Sequence, residues 1–129
     1  MTVAYVDASA LTKLVLEEPD SVAMRGWYVE NEHVLCSRIG LVETRRAVAR
    51  HIHDPAHLDT ILRSVEVVEV GADIARQAAA LRPHSLKTLD AIHLASAVRL
   101  GALVDAFVTY DDRLADAARA VGLPVVRPA

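Results

Sequence analysis

Apolar and polar positions along the chain fall into two kinds of run. Short β-branched or aromatic runs at residues 2–6, 33–36, 65–70, 106–110 and 124–126 read as strands. Between them, apolar residues recur at helical spacing and predict helices over 8–16, 21–30, 38–53, 56–64, 71–81, 86–100 and 112–121. Glu17-Glu18-Pro19 stops the first helix, Asp54-Pro55 the third, Pro83 the fifth, and Gly101 closes the sixth. Ser21, Ser37 and Ser85 stand where N-cap side chains are wanted. No repeat, low-complexity stretch or flexible linker interrupts the pattern, which predicts one domain over residues 1–129.

Short strands alternating with helices imply parallel pairing, with helices on both faces of the sheet. Right-handed crossovers then bring the strand ends that lead into helices to one edge. Sites in such sheets lie outside those carboxyl ends, and candidate chemistry is sought there.

The 129 residues are 53% hydrophobic and 24% charged, which suits one core and is too apolar for a disordered chain. Lys and Arg number 14 against 17 Asp and Glu, a net charge of -3. A protein that holds nucleic acid by passive charge shows a basic excess, so a simple cationic clamp is disfavoured. An enzyme that meets phosphate through a bound metal is not. Cys36 is the single cysteine, so no intramolecular disulfide and no cysteine-based zinc site is available. The N-terminal MTVAYVDASALTKLV lacks a basic n-region and a cleavage site, and no apolar run approaches the ~18 residues of a membrane span. A cytoplasmic setting without membrane association is predicted.

Four acids carry the candidate chemistry. Asp7 follows the first strand and Asp111 follows FVTY, so both emerge from the carboxyl edge of the sheet. Each also suits a helix N-cap. Glu43 lies inside a helix, where a solvent-facing Glu paired with Arg46 is the plain reading, worth a few tenths of a kcal/mol. Asp90 lies in LKTLDAIHLASAVRL, flanked by Leu89, Ala91 and Ile92. It suits the positive end of its helix, yet a carboxylate buried there without a partner is costly. Such acids, brought together with few bases nearby, repel one another and raise each other's pKa values. A divalent cation resolves the conflict, and an all-oxygen donor set suits Mg²⁺ or Mn²⁺ rather than zinc.

The segments YVDAS, SRIGLVETRRAV around Glu43, TLDAIHLASAV and FVTYDDRLADAARAVGLPVV together resemble the PIN-domain ribonucleases, and most closely the VapC toxins of type II toxin–antitoxin modules. The likeness covers essentially the whole chain, although residues 51–81 carry no motif. It implies a PIN-like three-layer α/β/α sandwich with a short, mainly parallel central sheet. The family's four acids fall on Asp7, Glu43, Asp90 and Asp111, as catalytic and metal-holding residues. Ser9 supplies a hydroxyl beside the metal site, and Thr109 supports the cluster. Asp112 competes with Asp111 for the fourth place. Because Val108-Thr109-Tyr110 ends a strand, Asp111 is favoured for the metal, and Asp112 is expected to cap the last helix. The resemblance further implies Mg²⁺, or Mn²⁺ in its place, bound as one ion or two. Metal-activated water would cleave RNA to leave 5′-phosphate and 3′-hydroxyl ends. A cognate antitoxin protein and a homodimer are also implied. A mean hydropathy of +0.25, high for a small chain, agrees with the dimer.

Other residues have plainer readings. His51 and His53, two apart on a helix, point to different faces and form no metal pair. His84 lies by Pro83 in a loop. His93, three residues past Asp90, can reach the cleft, but a half-buried polar helix residue is the commoner case. Lys13 and Arg113 are candidates to meet substrate phosphate, with surface placement the simpler assignment. Arg45, Arg46 and Arg50 add positive charge beside Glu43, as solvated side chains or as an RNA contact. Trp27 and Tyr28 offer base stacking, with packing the simpler role.

Three other classes compete. A receiver-like signalling domain needs a second acid near the N-terminus and a lysine after a late strand, but VAYVDAS holds one acid and the late strand ends in TYDD. A haloacid-dehalogenase-type phosphatase needs Asp-x-Asp, which Ser9 breaks. A catalytically silent PIN-fold binding module is opposed by the complete acid set. A nuclease assay with and without Mg²⁺ separates it from an enzyme.

Overall fold

The computed structural model describes residues 2–129. Strand β1 (Val3–Val6) leads through helices α1 (Ala8–Val15) and α2 (Ser21–Val29) to β2 (His33–Ser37). Helices α3 (Arg38–Val48) and α4 (Pro55–Arg63) lead on to β3 (Glu66–Val68). Helices α5 (Ala72–Ala80) and α6 (Thr88–Leu100) then precede β4 (Ala106–Val108), and α7 (Asp112–Ala120) precedes β5 (Val125–Val126). All five strands pair in parallel, in the order β3-β2-β1-β4-β5.

Alternation along the strands sorts side chains between the two faces. Ala4 and Val6 of β1 join Leu11, Leu14, Met24 and Val48 from α1, α2 and α3 in one core, together with Leu58 and Leu62 of α4. Tyr5, one residue out of phase, joins Phe107, Leu94, Ala97, Leu114 and Ala118 in a second core beneath α6 and α7. Each fully buried leucine contributes about 1.5–3 kcal/mol. The expected α/β/α sandwich is therefore present, and its sheet is wholly parallel.

The chain steps outward from β1 to β3, then recrosses through α5 and α6 to lay β4 on the other side of β1. The strand order reverses at this point. The carboxyl ends of β1 and β4 thus flank the crevice in which ligands of open parallel sheets bind. Register places Val6 opposite Val108, so the residues that follow each strand emerge side by side.

Several local expectations are corrected. Helix α3 ends at Val48 rather than at 53, because Arg50 and His51 N–H groups turn tightly onto the carbonyls of Ala47 and Val48. Asp54 then caps α4, with Pro55 in its first turn. Ser37 caps α3 as expected, accepting from Gly40 N–H at 3.0 Å. Ser21 does not cap α2; its hydroxyl donates to the Leu16 carbonyl and accepts from Glu18 N–H. Nor does Ser85 cap α6, which starts at Thr88 after an extended Lys87. Strand 106–110 stops at Val108, because the N–H groups of Tyr110 and Asp111 are taken by side chains of the site. Among the described residues, no helix is long and apolar enough to cross a membrane.

Candidate active site

Asp7 leaves β1 as the N-cap of α1, and only 4% of it is exposed. Its two oxygens are held separately. Oδ1 accepts from Ser9 Oγ at 2.6 Å and from Ala10 N–H at 3.0 Å. Oδ2 accepts from Thr109 Oγ1 at 2.6 Å. Both hydroxyls also tie down the turn after β4. Ser9 Oγ accepts from Tyr110 N–H at 2.8 Å, and Thr109 Oγ1 from Asp111 N–H at 3.0 Å. The two residues read from sequence as supports therefore stitch the ends of β1 and β4 around one carboxylate. Burial pushes the Asp7 carboxyl up from its ordinary value, opposed by His93 and by the donors from Ser9, Thr109 and Ala10.

Glu43 projects from α3 with a quarter of its side chain exposed. It does not pair with Arg46. Its Oε1 accepts from His93 Nε2 at 2.6 Å. His93 lies on α6, one turn past Asp90, and is 2% exposed. Its place as the partner of Glu43 was not legible in the helical pattern. The available signal was the three-residue spacing from Asp90, which puts both on one helix face.

Asp90 sits in the first turn of α6, suited to the helix N-terminus. Burial raises its carboxyl, and the charges of Asp111, Asp7 and Glu43 raise it further, while His93 lowers it. The four acids read from sequence therefore share one electrostatic field.

Asp111 and Asp112 exchange the roles expected for the cap. Asp111 is the N-cap of α7; its Oδ1 accepts from Arg113 N–H at 2.9 Å and Leu114 N–H at 3.2 Å. The residue that leaves a strand for a helix is the N-cap by position, and here that residue is Asp111. Asp112 is already helical, with 86% of its side chain exposed and paired with Arg127 at 2.7 Å. Asp111 thus combines capping with membership of the acid field, and Asp112 points away.

The donor set fits a hard divalent cation by its chemistry. Four carboxylates share a field, and none of them pairs with Lys or Arg among the described residues. The bonds to His93, Arg113 and Leu114 engage one oxygen each of Glu43 and Asp111, so a second oxygen of each is left for an ion. As they stand, no three His, Cys, Asp or Glu side chains among the described residues are placed to hold a metal ion. Binding therefore requires the carboxylates to draw together.

A groove of about 890 Å³ runs from Glu43 along α1 and α3, lined also by Ser9, Lys13, Arg46, Arg50 and Tyr110. Lys13 is not a free cation: its Nζ donates to the Pro19 carbonyl at 2.7 Å and lies 4.6 Å from the Tyr110 ring centre. Arg45 pairs with Asp59, which leaves Arg46 and Arg50 as the groove arginines without a carboxylate partner among the described residues. Trp27 and Tyr28 pack against the first core, the simpler of their two roles.

Comparison with known proteins agrees with this geometry. The profile of the family described as PIN domain matches residues 4–120. The chain belongs to the PIN-domain family. Ribonuclease VapC47 of Mycobacterium tuberculosis is 35% identical over 131 residues, covering 96% of each chain. The crystal structure of Mycobacterium tuberculosis VapC20, a sarcin–ricin loop cleaving toxin, superposes with a TM-score of 0.75 at 23% identity, over 97% of this chain and 99% of that one. VapBC2 from Rickettsia felis, solved on a DNA fragment from its promoter, gives 0.72 at 14% identity, over 99% of this chain and 100% of that one.

Proposed function

We propose that this chain is a Mg²⁺-dependent endoribonuclease and the toxin of a type II toxin–antitoxin pair, with Mn²⁺ able to replace Mg²⁺. The observation that carries the reading is the buried Asp7 carboxylate. It is gripped on both oxygens by neutral donors and set in the field of Asp90, Asp111 and Glu43 at the reversal of the strand order. Full-length relatives named as VapC ribonucleases support the substrate class.

Asp7, Glu43, Asp90 and Asp111 would hold the cation. When bound, it supplies a polarised phosphoryl oxygen and a water of lowered pKa. The chain's own residues do the rest. Ser9 and Thr109 fix both oxygens of Asp7, so that this carboxylate is oriented before substrate arrives. Arg46 and Arg50, one turn apart along the groove, meet the phosphates beside the scissile bond, a contact that weakens with salt. A small antitoxin protein neutralises the enzyme, and the active form is a homodimer. The test is brief expression followed by mapping of RNA 5′ ends. New 5′-phosphate ends are expected with the wild-type chain and none with Asp7→Asn; identical ends from both would refute the reading.

A further inference from the structure

One buried side chain, His93, uses both ring nitrogens on other side chains. Ser37 N–H donates to Tyr5 Oη at 3.1 Å, so that oxygen accepts there. Burial holds the Tyr5 phenol far above its ordinary pKa, so it keeps its proton. Its Oη lies 2.8 Å from His93 Nδ1, a hydrogen bond whose direction follows the protonation of the ring. The other nitrogen, Nε2, faces the Glu43 carboxylate at 2.6 Å and must carry the hydrogen of that bond. Nε2 thus carries a hydrogen in the neutral ring that makes this bond and in the charged ring alike.

Packing fixes the same arrangement. Phe107 stacks on Tyr5 with ring centres 5.5 Å apart and planes 8° from parallel. Gly40 lies against the histidine ring: a Cβ added there would stand 2.7 Å from His93 Cε1 and collide with Cys36 Sγ. The ring fits only because residue 40 has no side chain.

We propose that His93 is a positioning residue: its Nε2–H holds one oxygen of Glu43 and leaves the other for the acid cluster, while Tyr5 Oη anchors the ring at its other nitrogen. The inference rests on the metal reading above. A histidine that served only the core would be satisfied by any two partners. This one joins the central strand to a functional acid on α3, and no backbone group shares its nitrogens among the described residues. Glutamate has three rotatable side-chain bonds, and a rigid buried donor removes most of that freedom before an ion arrives.

The experiment is a double-mutant cycle read by Mn²⁺ binding, using electron paramagnetic resonance of the free ion, with thermal melting to verify the fold. His93→Asn keeps a polar atom on the Tyr5 side but lacks the reach to Glu43. His93→Gln places an amide N–H near the position of Nε2. His93→Asn should weaken Mn²⁺ binding about 10-fold, as loss of an outer partner of a metal ligand does, and His93→Gln should recover most of it. In a Glu43→Gln background, His93→Asn should cause no further loss. Unchanged Mn²⁺ binding in folded His93→Asn, or an equal loss in both backgrounds, would overturn the proposal. Absence of Mn²⁺ binding by the wild-type chain would remove the metal reading and this inference with it. A second measurement needs no variant. Long-range ¹H–¹⁵N spectra of the wild-type imidazole should show Nε2 protonated, in a neutral or a charged ring; an Nε2 without hydrogen would overturn the proposal.

Discussion

Replacing Asp111 by asparagine and by alanine, beside Asp112→Ala, separates the charge at the fourth acid from its capping bonds. Asp111 Oδ1 accepts from two free N–H groups in the first turn of α7, those of Arg113 and Leu114, at 2.9 and 3.2 Å. Alanine removes that cap, at a cost of about 1 kcal/mol. In a domain of 129 residues this lowers the melting temperature by about 4 °C. Asparagine caps about as well as aspartate, so its side-chain oxygen keeps the bonds while the charge is lost. Relief of repulsion with Asp90 offsets part of the alanine loss and adds to the stability of the asparagine variant. Asp112→Ala breaks only an exposed ion pair with Arg127, which is worth little. The assays are melting without divalent ion and RNA cleavage at saturating Mg²⁺. Asp111→Asn should melt at or above wild type and lose most cleavage. Asp111→Ala should lose both, and Asp112→Ala should keep both. An inactive Asp112→Ala beside an active Asp111→Asn would refute the assignment of the fourth acid.

Three further expectations follow from the same geometry. Asp7 has a folded pKa raised above its ordinary value of 3.8, so its contribution to stability is present below that value and is lost as pH rises through the raised range. Urea midpoints of wild type should therefore fall as pH climbs above about 4, more steeply than those of Asp7→Asn; parallel pH profiles would contradict a buried, charged Asp7. Gly40→Ala forces a Cβ against Cys36 and His93 and should cost about 1–3 kcal/mol as overpacking, seen as a lower urea midpoint with unchanged slope; an unaffected midpoint would show that the ring has room to move. Sedimentation of the purified chain at micromolar concentration should give a dimer, and a monomer would refute that assignment.

Much of the fold was legible because strand and helix periods differ and the punctuation was strong. Ser37 caps α3 as read, whereas Asp54-Pro55 starts α4 rather than ending α3, which stops at Val48. The errors came where local signals compete. Ser85 has the right chemistry for a cap, but Leu86 N–H closes a turn on Pro83 instead, and the helix starts later. The Asp111–Asp112 cap was misassigned because the strand was read two residues too long; the side chains that end it, Ser9 and Thr109, reach Tyr110 and Asp111 from a distant segment or through a local turn. Asp7, Glu43, Asp90 and Asp111 were legible as residue types at strand and helix positions. The partner of Glu43 was not, since His93 is 50 residues away in sequence and only the packing of α3 on α6 brings them together.

The central claim is that these four acids bind a divalent cation and cut RNA, and purified protein tests it most directly. Wild type and Asp7→Asn are incubated with total RNA in Mg²⁺, in Mn²⁺ and in excess EDTA, and the products are resolved on a denaturing gel. Discrete fragments should form with wild type in either metal, vanish in EDTA, return when Mg²⁺ is restored in excess, and be absent throughout with Asp7→Asn. Fragments that persist in EDTA, or that Asp7→Asn produces at the wild-type rate, would contradict the account.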